Sequence, residues 1–306
     1  MKTEASILLL ACSFTLFACT KSSEKTEENA PLPIEHTFDQ AKYAVTFSLG
    51  NVDVDKGGRM GNKEMQASDY LWSFFYAAYD STGKMVSSLI QNKFDENDMP
   101  TSHFGLVLDS LATGSYTIVL AGSNKFIESQ AINLETLPGL QFKNFFGTDF
   151  FYKKLRVNVV NKDTSYTTVK LNRLTSRLHV KFKDTFPQAV NHVVLTIDNM
   201  PSLLSPVDDS LSMPVSGDFN MGLVDNVMQQ EADLDCIGSY NGLRITIKAY
   251  DVHNVILQQK VVDNIYLYPN KKVILTGNLD NISDGGSNPI VVTLDPDYDE
   301  TSTVEF

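Results

Sequence analysis

The sequence predicts an all-β protein built as two antiparallel β-sandwiches in tandem. Three observations predict it. Apolar and polar residues alternate with a period of two in run after run from residue 43 onward, and the runs are rich in β-branched and aromatic residues. Turn residues punctuate the runs at short, even intervals. The strands fall into two clusters, with one wet face per strand, which is the pattern of antiparallel sandwiches.

In order, Tyr43 to Leu49 places four large residues on one face and small or polar ones on the other. Leu71 to Tyr79 is a longer aromatic run. Asp80-Ser81-Thr82-Gly83-Lys84 turns it into Met85–Ile90, a hairpin. Phe104, Leu106 and Leu108 alternate, and Thr113-Gly114 leads into Tyr116–Leu120. Further strands are read near Leu155–Val160 and Tyr166–Leu171. The second cluster holds Leu178/Val180/Phe182, Val193/Leu195/Ile197, Leu243/Ile245/Ile247, Val255–Val262, Ile265–Tyr268 and Val273–Leu275, with a turn at Pro269-Asn270. Short helices are expected only near Ser129–Leu137 and Val224–Asp233. The tail turns polar at Asp284-Gly285-Gly286-Ser287, recovers one short strand at Ile290–Leu294 and ends acidic. The sequence carries no clean internal repeat.

The amino end reads differently. Met1-Lys2-Thr3-Glu4 precedes an apolar stretch from Ala5 to Ala18, shorter than the roughly 20 residues of a bilayer span and suited to the core of a secretory signal. Its end, Leu16-Phe17-Ala18-Cys19, resembles the lipobox of bacterial lipoproteins. That resemblance implies cleavage between Ala18 and Cys19, diacylglycerol on the Cys19 thiol and acylation of the new amine, a palmitate-bearing lipoprotein of the outer membrane. Two or three acyl chains hold a protein firmly where one does not. Thr20 to Ala30, polar and acidic, reads as a solvated tether and is similar to the stretch that marks lipoproteins of Bacteroidota for the outer face. The expected organisation is therefore a signal peptide at 1–18, a tether at 19–38, a first sandwich at 39–170, a second at 171–282 and a tail at 283–306.

Composition narrows the function. The net charge of -12 gives no electrostatic reason to bind nucleic acid or anionic lipid. Of three cysteines, Cys12 leaves with the signal and Cys19 is taken by lipid, so Cys236 has no partner and reads as a small buried apolar residue. No serine-nucleophile elbow, zinc-protease helix or phosphate loop is present. The histidines at 36, 103, 179, 192 and 253 lack metal-ligand spacing, and His179 is expected in solvent. Asn51-Val52-Asp53-Val54-Asp55 starts like a calcium loop but has Lys56 and Asn62 where Gly and Glu belong. The acidic run Asp295–Glu300 is read as a solvated tail. No cofactor, no metal and no catalytic residue are expected. Trp72, Phe74, Phe75, Tyr76 and Tyr79 contain the makings of a sugar-stacking platform, with half of them expected in the core. Asp109-Ser110-Leu111 and Asp209-Ser210-Leu211 resemble an O-glycosylation sequon of Bacteroidota.

Three stretches carry a wider resemblance. Leu111-Ala112-Thr113-Gly114-Ser115-Tyr116-Thr117, Tyr76-Ala77-Ala78-Tyr79-Asp80-Ser81-Thr82-Gly83-Lys84 and Leu171-Asn172-Arg173-Leu174-Thr175-Ser176-Arg177-Leu178-His179-Val180 are similar, in order and spacing, to turn-and-strand patterns of fimbrillin-type proteins of Bacteroidota, a family that includes FimB/Mfa2-like fimbrial anchors and minor pilins. The resemblance implies two transthyretin-like sandwiches behind a lipoprotein signal. It also implies a non-enzymatic, type V pilus-like role at the cell surface: assembly with other fimbrial subunits by β-strand addition, and adhesion to host or bacterial surface glycans or proteins. Polymerising members lose their first strand by cleavage after an arginine. Here Arg59, in Asp55-Lys56-Gly57-Gly58-Arg59-Met60, follows the first strand, while an anchor would keep that strand. The competing expectation is a glycan-binding surface lipoprotein of a polysaccharide-uptake system.

Overall fold

The computed structural model describes residues 41–52, 65–95, 97–127, 130–143, 145–161, 165–221, 223–224, 227–228, 230–279 and 291–294. Gln40–Phe306 forms one compact unit. Apart from one helical turn the described chain is strands and turns, as the alternation dictates.

The first lobe contains β1 (Lys42–Leu49), β2 (Asn51–Val52), β3 (Met65–Gln66), the helical turn α1 (Ala67–Tyr70), β4 (Ser73–Tyr79), β5 (Met85–Asn92), β6 (Leu106–Ala112) and β7 (Gly114–Ser123). It continues with β8 (Ala131–Ile132), β9 (Gln141–Lys143), β10 (Phe150–Val159), β11 (Ser165–Val169) and β12 (Asn172–Arg173). Strands β11-β1-β6 make one sheet and β12-β10-β7-β4-β5 the other. Between them lie Val45 and Phe47 of β1, Val107 and Leu111 of β6, Phe74 and Tyr76 of β4, and Ile118 and Leu120 of β7.

The second lobe contains β13 (Thr175–Phe182), β14 (His192–Ser205), β15 (Ser210–Met221), β16 (Leu223–Val224), β17 (Val227–Met228), β18 (Glu231–Ile237), β19 (Ser239–Tyr250), β20 (Ile256–Leu267), β21 (Lys272–Gly277) and β22 (Val291–Leu294). One sheet runs β18-β13-β21-β22; in the other, β20, β19 and β14 are joined by β15. Leu178 and Val180 face Leu195, Ile197, Ile245 and Ile247 across this core.

The topology repeats although the sequence does not. In each lobe the first strand (β1, β13) pairs antiparallel with one neighbour (β6, β18) and parallel with the lobe's late strand (β11, β21). The facing sheets run β5-β4-β7-β10 and β15-β14-β19-β20.

A shared element ties the lobes together. The first half of β14 pairs with β19; past a bulge between Ile197 and Met200, Leu203 and Leu204 pair with β9. Leu204 thereby enters a third core, with Phe75, Tyr79, Val119, Phe142, Phe150 and Ile237. The tip of the β14–β15 hairpin is pinned to β10: the Tyr152 hydroxyl donates to Asp209 at 2.8 Å, and Lys154 donates to the Pro206 carbonyl at 2.8 Å while pairing with Asp209 at 3.0 Å.

Both expected helices are corrected. The described residues of Ser129–Leu137 hold β8 followed by turns. The described residues of Val224–Asp233 hold strands, with Leu223↔Met228 and Val224↔Val227 paired antiparallel and Glu231 opening β18. Ala131 and Ile132 satisfy their main chain by pairing with β9, and Glu231–Ile237 by pairing with β13, so neither segment needs helical bonds. The strand read at Ile290–Leu294 is β22, antiparallel to β21.

Cys236 is fully buried among Leu178, Leu234 and Ile245, and burial pushes its thiol up to about 12, with the nearby Asp235 charge adding to the shift. A thiol that stays protonated is a poor nucleophile. Iodoacetamide at neutral pH is expected to leave Cys236 unmodified in the folded protein and to modify it fully in denaturant, read by intact mass. Modification of the folded protein would contradict this packing.

Candidate functional site: the first strand and its groove

β1 is the first strand among the described residues and central in its sheet. Its polar residues point out and Val45 and Phe47, 1% and 2% exposed, point in. Seven positions pair with β6, from Lys42↔Ala112 to Ser48↔Leu106, and five pair with β11, from Val45↔Ser165 to Leu49↔Val169. Phe47 packs on Tyr76, ring centroids 5.7 Å apart, and the Tyr76 hydroxyl donates to Asp109 of β6 at 2.7 Å. Burial pushes the Tyr76 hydroxyl pKa well up, and the Asp109 carboxylate beside it adds to the shift. Taking β1 away would open a groove between β6 and β11 and remove two buried side chains worth about 1.5–3 kcal/mol each. The shape of such a groove would suit a strand with apolar residues at alternate positions. Backbone bonds from Leu49 to Gly105 and from Gly50 to Val169 close its far end, both at 2.8 Å. Arg59, Ala18 and Cys19 lie outside the described residues, as do the tether, most of the calcium-like stretch and the acidic tail.

The three sequence stretches fall where they shape this lobe. Asp80 Oδ1 accepts the main-chain N–H groups of Thr82 and Lys84 at 2.8 and 3.1 Å and the Thr82 hydroxyl at 2.6 Å, with Gly83 at φ +81°. The Thr82 hydroxyl leads the contacts that hold the Asp80 carboxyl below the usual range. Gly114 starts β7, and the Tyr116 hydroxyl donates back to the Ala112 carbonyl at 3.0 Å, clamping the β6–β7 turn.

The third stretch holds a residue that pattern reading passed over as a strand position. Arg173, 4% exposed, donates from Nε to Asp149 at 2.7 Å; Asp149, fully buried, also accepts from the hydroxyls of Tyr70 and Thr175. Arg173 further pairs with Asp235 of β18 at 3.5 Å, and Arg177 reaches the same carboxylate at 3.1 Å. Burial opposes the Arg173 charge, but Asp149 outweighs it and the guanidinium pKa ends raised. The chain of charges links α1 and the β10 lead-in to β12, β13 and β18, across both lobes.

Other candidates resolve differently. Phe74, Phe75, Tyr76 and Tyr79 are all buried, because β4 is covered on both faces; a half-wet strand was expected. Only Trp72, 52% exposed, remains for sugar stacking. Trp72→Ala is expected to change stability by no more than about 0.5 kcal/mol, so any loss on an affinity gel with polysaccharide would report binding alone; an unchanged gel would show that this aromatic run takes no part in glycan recognition. His179 is not free in solvent: its Nδ1 lies 3.0 Å from Asp233 on the neighbouring strand. Among the described residues no group of three His, Cys, Asp or Glu could hold a metal. Ser110 and Ser210 are exposed, and the aspartate before each holds a tyrosine hydroxyl, Tyr76 and Tyr152. A largely apolar cleft of about 480 Å³ lies between β9 and the β14–β15 hairpin, lined by Phe145, Met200, Leu203 and Val215, with Met213 at φ +55° on its rim.

The sequence pattern of the family described as fimbrillin-A associated anchor proteins Mfa1 and Mfa2 matches residues 41–303. No curated protein matches the chain. Solved structures do. A candidate polysaccharide-binding protein of Bacteroides thetaiotaomicron has 12% identity and a TM-score of 0.55, over 86% of this chain and 98% of its own. A candidate adhesin of the same species has 13% identity and a TM-score of 0.54, over 87% and 98%. The fimbrial anchor protein Mfa2 of Porphyromonas gingivalis has 15% identity and a TM-score of 0.49, over 77% and 90%. At such identities the likeness is one of fold.

Proposed function

The chain belongs to the family of fimbrillin-A associated anchor proteins Mfa1 and Mfa2, and from that premise we propose that it is a surface-held fimbrial subunit, an anchor or accessory component that assembles by β-strand addition. The observation that carries this reading is β1 itself, the first strand among the described residues, paired on both sides in a groove shaped for alternating apolar residues. Such a strand is the part that subunits exchange when main-chain bonds supply affinity and alternate side chains supply fit.

The finer parts belong to the same proposal. Two transthyretin-like sandwiches meet near residues 170 and 171, supported by the strand order that recurs in both lobes. Cys19 carries the lipid after cleavage at Ala18, and the protein sits on the outer face of the outer membrane. A lipidated anchor keeps β1, because cleavage at Arg59 would sever the lobes from the lipid. Its partners are other fimbrial subunits, and adhesion to surface glycans or proteins follows from its place in the fibre. Mass spectrometry of the native protein should find an acylated Cys19 at the amino end, and Cys19→Ala should shift the protein from membrane to medium. Deleting the gene should change fimbrial number, length or attachment. Fimbriae unaltered in all three respects would refute the assembly role.

A further inference from the structure

We propose that the outer edge of β11 is a second strand-acceptor site, one that takes an extended, uncharged segment of a partner polypeptide running antiparallel to β11. The internal repeat carries the inference. In the second lobe β21 lies parallel to β13, and its outer edge is closed by β22, from Val273↔Leu294 to Thr276↔Val291. In the first lobe β11 lies parallel to β1 in the same place, and among the described residues no strand lies beyond it. Matching the inward pairs Val45/Phe47 and Leu178/Val180 sets Ser165–Val169 level with Val273–Gly277. The chain does not continue from β11 into a closing strand, because it passes directly to β12, which pairs with β10 in the opposite sheet.

The chemistry of the edge says what fits. Sheet edges are commonly guarded by charge or proline. Here β6 carries Asp109, β15 carries Pro214 and Asp218, β18 carries Glu231, Asp233 and Asp235, and β20 carries Lys260 and Asp263. Strand β11, Ser165-Tyr166-Thr167-Thr168-Val169, shares with β5, Met85–Asn92, the lack of either guard, but β11 alone of the two has a counterpart, β21, whose outer edge is closed by a strand; it is exposed at its first four positions, Tyr166 to 64%. The positions equivalent to buried Val273 and Leu275 are the hydroxyl residues Ser165 and Thr167. The added strand is therefore held by main-chain hydrogen bonds and cross-strand contacts to hydroxyls and Tyr166, rather than by an apolar plug. With no charge in the strand, binding should depend little on salt.

The inference rests on the assembly reading only in supposing a polypeptide partner. The test uses the purified full chain and, as probe, a synthetic peptide of residues 289–294, Pro-Ile-Val-Val-Thr-Leu with both ends blocked, which contains the chain's own closing strand. Hydrogen exchange is followed with and without peptide. The amides of 165–169 should slow about tenfold, equally at low and high salt. In the variant Thr167→Lys with Thr168→Lys, and separately in Tyr166→Lys, that slowing should vanish while β1 and β6 keep their protection. All three positions are exposed, so these variants keep the fold. Unchanged exchange at 165–169 with saturating peptide would overturn the inference, as would slowing confined to 272–277 or slowing that survives the lysines. Normal fimbriae in a deletion strain would sink the assembly reading and leave this edge untouched.

Discussion

Replacing Arg173 with methionine is expected to lower stability by about 3–5 kcal/mol, because it strands the fully buried Asp149 carboxylate. A whole domain is stable by only about 5–15 kcal/mol, so the urea midpoint should fall by a large fraction. The cost comes from the partner left behind. Asp149 keeps the hydroxyls of Tyr70 and Thr175, but two neutral donors do not neutralise a charge that is fully buried. The companion variant, Asp149→Asn with Arg173→Met, removes both charges and should recover part of the loss; the remainder reflects hydroxyl and amide groups whose hydrogen bonds no longer match, about 1–3 kcal/mol each. Recovery in the double variant separates stranded charge from lost packing. A single-variant loss below 1 kcal/mol would mean that water reaches Asp149 and that the network is not sealed between the lobes.

The same residue shows what the sequence could and could not reveal. Leu171-Asn172-Arg173 was legible as a strand lead-in, and the turns at Asp80–Lys84 and Gly114 were legible because their chemistry is local: a carboxylate capping its own loop, a glycine beginning a strand. The partner of Arg173 lies 24 residues earlier in a loop, and no local pattern marks it. Strand alternation was legible wherever one face is wet, as in β13 and β21. The parallel pairs β1–β11 and β13–β21 were not, because pairing across more than 90 residues leaves no trace in either strand. The repeated topology was hidden for a related reason. Ser165 and Thr167 are exposed at the rim of their sheet, so they occupy places that buried Val273 and Leu275 fill in the other lobe without altering the strand order.

The misreading of β4 leads to the second large effect. Ser73 to Tyr79 has no exposed face: Phe74, Tyr76 and Ala78 point into the first-lobe core, and Phe75, Ala77 and Tyr79 into the core shared with β8, β9 and β14. A run of this kind, apolar at consecutive positions, marks a strand buried on both sides, and the alternation rule does not apply to it. Phe75 meets Phe142 edge-on, centroids 5.4 Å apart, and Phe142 in turn contacts Phe150 and Tyr152. Phe75→Ala should therefore cost about 3–5 kcal/mol, since removing one ring leaves a cavity that neighbours held by two sheets cannot fill. The loss should also loosen the junction, because Phe75 and Leu204 belong to the same core. Hydrogen exchange should quicken at Leu203, Leu204 and β9 before it does at β19 or β21. Uniform quickening across both lobes would show instead that the two sandwiches unfold as one and that the shared core has no separate part in holding them together.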